Sequence, residues 1–98
     1  MPPLSPDEIA RRLRNLDGWS LVAGEIEKTY RFPTFPQAIA FVGRVADLAE
    51  KVDHHPEIDI RYNRVKLRLS THSEKGITER DFALASDVDR AEPEFRLA

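Results

Sequence analysis

Glu57-Ile58-Asp59-Ile60-Arg61-Tyr62-Asn63-Arg64-Val65-Lys66-Leu67-Arg68-Leu69-Ser70-Thr71 alternates apolar and polar side chains on both sides of one interruption. Ile58, Ile60 and Tyr62 share one face, and Val65, Leu67, Leu69 and Thr71 repeat the pattern against Lys66, Arg68 and Ser70. A period of two marks half-buried strands. Asn63-Arg64 suits a tight reversal because Asn tolerates a left-handed backbone, so the stretch reads as a hairpin with one wet face. With that two-residue turn, facing residues sum to 127: Tyr62 opposes Val65, Ile60 opposes Leu67 and Ile58 opposes Leu69. Carried past Pro56, the same register sets His55 against His72, with Cα atoms about 4.5 to 5.5 Å apart.

Upstream, Trp19-Ser20-Leu21 and Ile26 to Phe32 read as a second strand pair around Ala23-Gly24, with Glu25, Glu27, Thr29 and Arg31 facing water. Three capping patterns place the helices. Ser5-Pro6-Asp7-Glu8 opens a short one that Asp17-Gly18 ends, Thr34 with Gln37 opens a long one reaching about Val52, and Thr78 with Asp81 opens the last. The long helix has an apolar set from Phe35 to Val52 too wide for one stripe, which points to burial against both the sheet and a partner subunit. The order is α-β-β-α-β-β-α. Hairpins with amphipathic helices imply an α+β fold: a four-stranded antiparallel sheet with three helices on one face.

At 98 residues the chain has room for one core, so residues 1–98 are expected to form a single domain. Lys and Arg number 15 against 17 Asp and Glu, with signs mixed along the chain, which leaves no electrostatic footprint for nucleic acid. No apolar run nears the roughly 18 residues of a membrane helix, and no basic-then-apolar leader precedes Asp7, so a cytoplasmic protein is expected. The absence of cysteine removes disulfides, thiolate metal sites and cysteine nucleophiles. A domain this small leaves apolar surface uncovered, which favours self-association.

All three histidines fall between positions 54 and 72, near Glu50, Asp53 and Pro56. Were the long helix to continue one more turn, Glu50 and His54 would meet at i, i+4, and a carboxylate would hold an imidazole. Imidazoles titrate near pH ~6.5, so grouping them with carboxylates suits a reaction that both gives and takes a proton at neutral pH. Two other readings stand beside it. His54-His55 as a polar helix terminus with Asp81 as a mere cap is one, and three histidines with Glu50 binding zinc is the other. Phosphate loops and nucleophile elbows are absent from the sequence.

Glu50-Lys51-Val52-Asp53-His54-His55-Pro56, then Tyr62-Asn63-x-Val65, Ser70-Thr71-His72 and Gly76-Ile77-Thr78-Glu79-Arg80-Asp81 together resemble the signature of the pterin-4a-carbinolamine dehydratases. Gly18-Trp19 and the Phe32-x-x-Phe35 to Phe41 pattern extend the resemblance over nearly the whole chain. It implies dehydration of 4a-hydroxytetrahydrobiopterin to quinonoid dihydrobiopterin during cofactor recycling, with no metal and no organic cofactor. It also implies that His54, His55 and His72 line a pterin pocket with Glu50 in support, His54 and His72 being the principal acid and base. Asp53, Pro56, Ser70 and Thr71 become candidate substrate contacts, Asp81 a brace, and Trp19 either a neighbour of the ligand or core filler. Homodimers joined through sheets, or homotetramers joined through helices, are the implied assemblies. The alternative is a non-catalytic binding module, since relatives serve as dimerisation cofactors of a transcription factor or resemble assembly factors of a carbon-fixing enzyme.

Overall fold

Three hydroxyl side chains start the three helices. Ser5 Oγ accepts the amide of Glu8 at 3.2 Å to open α1 (Pro6–Leu13), and Thr34 Oγ1 accepts that of Gln37 at 3.3 Å to open α2 (Phe35–Val52). Thr78 opens α3 (Glu79–Ala91), where the Asp81 carboxylate also accepts the Thr78 amide at 2.9 Å. Each cap satisfies amides that the first turn leaves without partners. Only the third is a reciprocal box, because the carboxylate of Glu8 turns to Arg11 and Arg12 instead.

The computed structural model describes residues 2–97. Its strands β1 (Ser20–Val22), β2 (Glu25–Arg31), β3 (Glu57–Arg61) and β4 (Arg64–Leu69) form one antiparallel sheet in the order β1-β2-β4-β3. Ala23 and Gly24, with φ of 51° and 81°, make the first hairpin turn, both in the left-handed region that matches strand twist. The inner face of the sheet, Ile26, Tyr30, Val65, Leu67 and Leu69, is buried. It meets Phe41 and Val45 of α2 and Leu84 and Val88 of α3, which completes the core. Burying these branched and aromatic side chains stabilises the fold by about 1.5 to 3 kcal/mol each. Phe35, Ile39 and Val52 on the far side of α2 stay exposed.

The second hairpin differs from the expected register. Facing residues sum to 125: Glu57 opposes Arg68, Ile58 opposes Leu67, and Arg61 opposes Arg64 across a turn at Tyr62-Asn63. Asn63 explains the shift. Its side chain donates to the Phe32 carbonyl at 2.7 Å and its own carbonyl accepts the Phe32 amide at 2.9 Å, so it is anchored to the end of β2 and the left-handed backbone falls on Tyr62, with φ of 52°. β3 begins only at Glu57 and His72 opens a 3-10 turn (His72–Glu74), so His55 and His72 are not cross-strand neighbours.

Candidate active site

Asp53 ends α2 in the left-handed conformation, φ 51° and ψ 48°. The His54 amide then reaches back to the Ala49 carbonyl at 3.1 Å and the Asp53 amide to that of Glu50 at 3.3 Å, a helix ending usually built on glycine. This turn decides where the two histidines go. Instead of a Glu50–His54 pair along one helix face, Glu50 Oε2 meets His55 Nε2 at 2.9 Å on the surface. His54 swings inward, only 7% exposed, with Nε2 2.6 Å from Asp81 Oδ1.

Asp81 sits in the first turn of α3 and is wholly buried. Its second oxygen accepts the Thr71 hydroxyl at 2.8 Å and the Thr78 amide at 2.9 Å. Thr71 and Thr78 hydroxyls lie 2.7 Å apart, and Thr78 Oγ1 accepts the Arg80 amide at 3.2 Å. Every proton in this network points toward the carboxylate, so His54 must donate from Nε2, and Nδ1 is its remaining ring nitrogen. A buried carboxylate needs such a set of donors, since one left short of partners costs several kcal/mol.

Arg80 lies within the signature segment, and its sequence context assigns it no role. Its guanidinium donates to the carbonyls of Val52 at 2.9 Å and Asp53 at 2.8 Å, two of the acceptors that the end of α2 leaves open. It thereby ties the turn carrying His54 and His55 to the helix carrying Asp81. The only local hint was an arginine beside a capping aspartate, and nothing in the sequence says which carbonyls it reaches. From the other side, Arg12 of α1 donates to both Glu79 oxygens, one at 2.7 Å, and holds that carboxyl below the usual carboxylate range.

His72 is exposed and follows Thr71, whose amide donates to the Gly76 carbonyl at 2.8 Å. Thr71 therefore positions both Asp81 and the backbone leading into His72, and its hydroxyl is committed to the carboxylate. Pro56 lies half-buried between His55 and β3. Asp53 offers its carbonyl to Arg80 and leaves its side chain exposed. Ser70 donates to Glu25 of β2 at 3.2 Å. Trp19 lies elsewhere. It is buried, edge-on to Tyr30, and donates to Asp89 at 3.0 Å, eight residues and about 12 Å along α3 from Asp81, so it belongs to the core.

Among the described residues no group of three or more His, Asp or Glu side chains converges as a metal would need, because the adjacent histidines diverge at Asp53. Hollows of about 440 Å³ between α1 and α3 and about 270 Å³ on the open sheet face are lined by other residues, and His55 and His72 border open surface.

A family model described as pterin 4 alpha carbinolamine dehydratase matches residues 2–91. The chain belongs to the pterin-4a-carbinolamine dehydratase family. A protein of Herpetosiphon aurantiacus named as a pterin-4-alpha-carbinolamine dehydratase is 57% identical over 90 residues, 92% of this chain and 94% of its own. One of Sulfolobus acidocaldarius is 44% identical over 87 residues, covering 89% of this chain and 96% of its own. The crystal structure of a transcriptional coactivator/pterin dehydratase from Brucella melitensis superposes with a TM-score of 0.86 at 41% identity, over 90% of this chain and 96% of that one. A pterin dehydratase-like RuBisCO assembly factor of the alpha-carboxysome, 24% identical with a TM-score of 0.64 over 76% of this chain and 86% of that one, shares the fold.

Proposed function

We propose that the protein is a hydro-lyase that dehydrates 4a-hydroxytetrahydrobiopterin to quinonoid dihydrobiopterin by histidine acid–base catalysis. The observation that carries this reading is the buried His54–Asp81 pair at 2.6 Å, one residue from the exposed His55–Glu50 pair at 2.9 Å. The chemistry needs two proton movements. The C4a hydroxyl takes up a proton and leaves as water, while N5–H loses one as the C4a=N5 bond forms. His54, held by Asp81 so that Nδ1 carries the free lone pair of its neutral form, suits the base. His72, exposed and near the same network through Thr71, suits the acid. His55 with Glu50 supports binding of the polar pterin ring, and so do Asp53 and Pro56. No metal or organic cofactor enters this scheme.

The role that follows is recycling of tetrahydrobiopterin after aromatic hydroxylation. No helix among the described residues is long and apolar enough to cross a membrane, and we place the enzyme in the cytoplasm. Phe35, Ile39, Ile58 and Ile60, exposed along α2 and β3, support self-association as a dimer or tetramer. Stopped-flow dehydration of chemically generated 4a-hydroxytetrahydropterin tests the whole reading. His54→Ala and His72→Ala should each lose about 100-fold to 10,000-fold in rate while remaining folded. Unchanged turnover in both variants would remove the assignment.

A further inference from the structure

We infer that the open face of the sheet carries an anion site at its hairpin end, where Arg31, Arg64, Arg61 and Lys66 hold the phosphate chain of a compact di- or triphosphate ligand. The site stands apart from the histidines and does not rest on the dehydratase reading.

Alternation puts Glu25, Glu27, Thr29 and Arg31 of β2, Arg64, Lys66 and Arg68 of β4, and Glu57, Asp59 and Arg61 of β3 on the open face, since Ile26, Tyr30, Val65 and Leu67 point into the core. The register makes a row of them. Arg31 faces Arg64 and Arg64 faces Arg61, so three guanidinium groups from three neighbouring strands stand side by side. Like charges directly opposite one another destabilise a sheet, and facing Cα atoms are only about 4.5 to 5.5 Å apart. Arg31 and Arg64 have no ion-pair partner among the described residues, and Arg61 meets Asp59 only at 3.4 Å.

The face is electrically divided. Arg31, Arg61, Arg64 and Lys66, with the single carboxylate of Asp59, occupy the end next to the hairpin turn, while Arg68 with Glu25, Glu27 and Glu57 occupies the other. In the acidic half Glu27 takes Arg68 at 3.3 Å and reaches Lys66 at 3.8 Å. The basic half keeps its surplus. A hollow of about 270 Å³ opens there, bounded by Arg61, Arg64, Lys66, Asp59 and Thr29, so the cations border a concave surface and not a ridge.

The chemistry of the row selects the ligand. A guanidinium presents a planar fork that matches phosphate oxygens two at a time, is weakly hydrated and keeps its charge at any physiological pH. Two strand spacings, about 9 to 10 Å, separate Arg31 from Arg61, a span that long side chains close around two or three linked phosphates. Among the described residues no large apolar side chain lies on this half of the face, and the exposed Tyr62 stacks on Phe35 of α2 instead. An acidic protein segment would therefore find charge without the buried apolar anchor that protein interfaces use. A nucleic-acid strand running on past the row meets Glu27 and Glu57, whereas a short phosphate chain lying across the strands meets neither.

Isothermal titration calorimetry of the full chain with inorganic triphosphate, at about 0.15 M salt and with no divalent cation, tests the site. Saturable binding that weakens as salt rises is expected. Arg64→Gln removes the centre of the row and should weaken binding about tenfold to a hundredfold, as lost hydrogen bonds to a charged group do. Arg14→Gln makes the same charge change at the end of α1 and should leave affinity within about twofold. Asp59→Asn removes the one carboxylate at the hollow and should tighten binding about two- to fivefold. Without ligand Arg64→Gln should melt no lower than wild type, because it relieves a row of like charges, and triphosphate should raise the melting temperature of the wild type more than that of the variant. ATP separates the sources of the phosphate chain: affinity equal to that of inorganic triphosphate assigns the site to the chain alone, and tighter binding assigns it to a nucleotide. No saturable binding, equal losses in Arg64→Gln and Arg14→Gln, or a single-stranded oligonucleotide binding more tightly than triphosphate overturns the inference. Dehydration is read in none of these arms, so an inactive enzyme would leave their result standing.

Discussion

His54 Nε2 lies 2.6 Å from Oδ1 of Asp81, and Asp81 has no solvent exposure. The ring is thereby fixed in tautomer as well as in place. Asp81→Asn keeps the shape but sets an NH2 group among donors, so it should cost about 1 to 3 kcal/mol of stability. Turnover should fall about 100-fold or more, because an amide no longer dictates which ring nitrogen carries the proton. Urea melts read the first effect and single-turnover dehydration the second. A variant that loses stability but keeps its rate would make Asp81 a cap and nothing more.

Arg80 and Asp53 allow position to be separated from contact. Arg80→Ala removes two bonds to the end of α2 and should reduce kcat about tenfold or more as His54 loses its seat, with about 1 to 2 kcal/mol of lost stability. Asp53→Gly relaxes a left-handed backbone and should stabilise by up to about 1 kcal/mol. If its carboxylate touches the pterin, KM rises in the same variant; an unchanged KM would strip Asp53 of that role.

Glu50 and His55 form their pair in water, so Glu50→Ala should shift thermal stability by less than about 0.5 kcal/mol. An effect on turnover without one on melting is what support of His55 predicts. No change in either would return the pair to ordinary surface.

Tyr30 donates to Asp89 at 2.5 Å in the core, and burial first, then that carboxylate, push its phenol well above the usual tyrosine range. The folded state therefore keeps a proton that the unfolded chain releases above pH ~10. Stability contributed by Tyr30 is full below that pH and declines as pH rises beyond it. Tyr30→Phe should cost about 1 kcal/mol at pH 7 and flatten the alkaline decline, as chemical unfolding between pH 7 and 11 would show. An equally steep decline in the variant would place the effect in other groups.

Much of the candidate site was legible because its residues crowd into two short segments around Asp53–Pro56 and Ser70–His72. Pairing was not. The expected Glu50–His54 contact assumed a continuing helix, and a single left-handed aspartate moved the carboxylate to His55 instead. Trp19 reads from the sequence as either a neighbour of the ligand or core filler, and only packing places the indole in the core, where it donates to Asp89.

Spacing and caps determined the α-β-β-α-β-β-α order, since hydrophobic period and helix starts are set by neighbours a few residues away. Tertiary structure decided the hairpin register and which histidine turns inward. Asn63 is anchored to Phe32 across 31 residues and His54 to Asp81 across 27, and bonds over such separations leave no trace in local pattern because they exist only once the helices pack on the sheet.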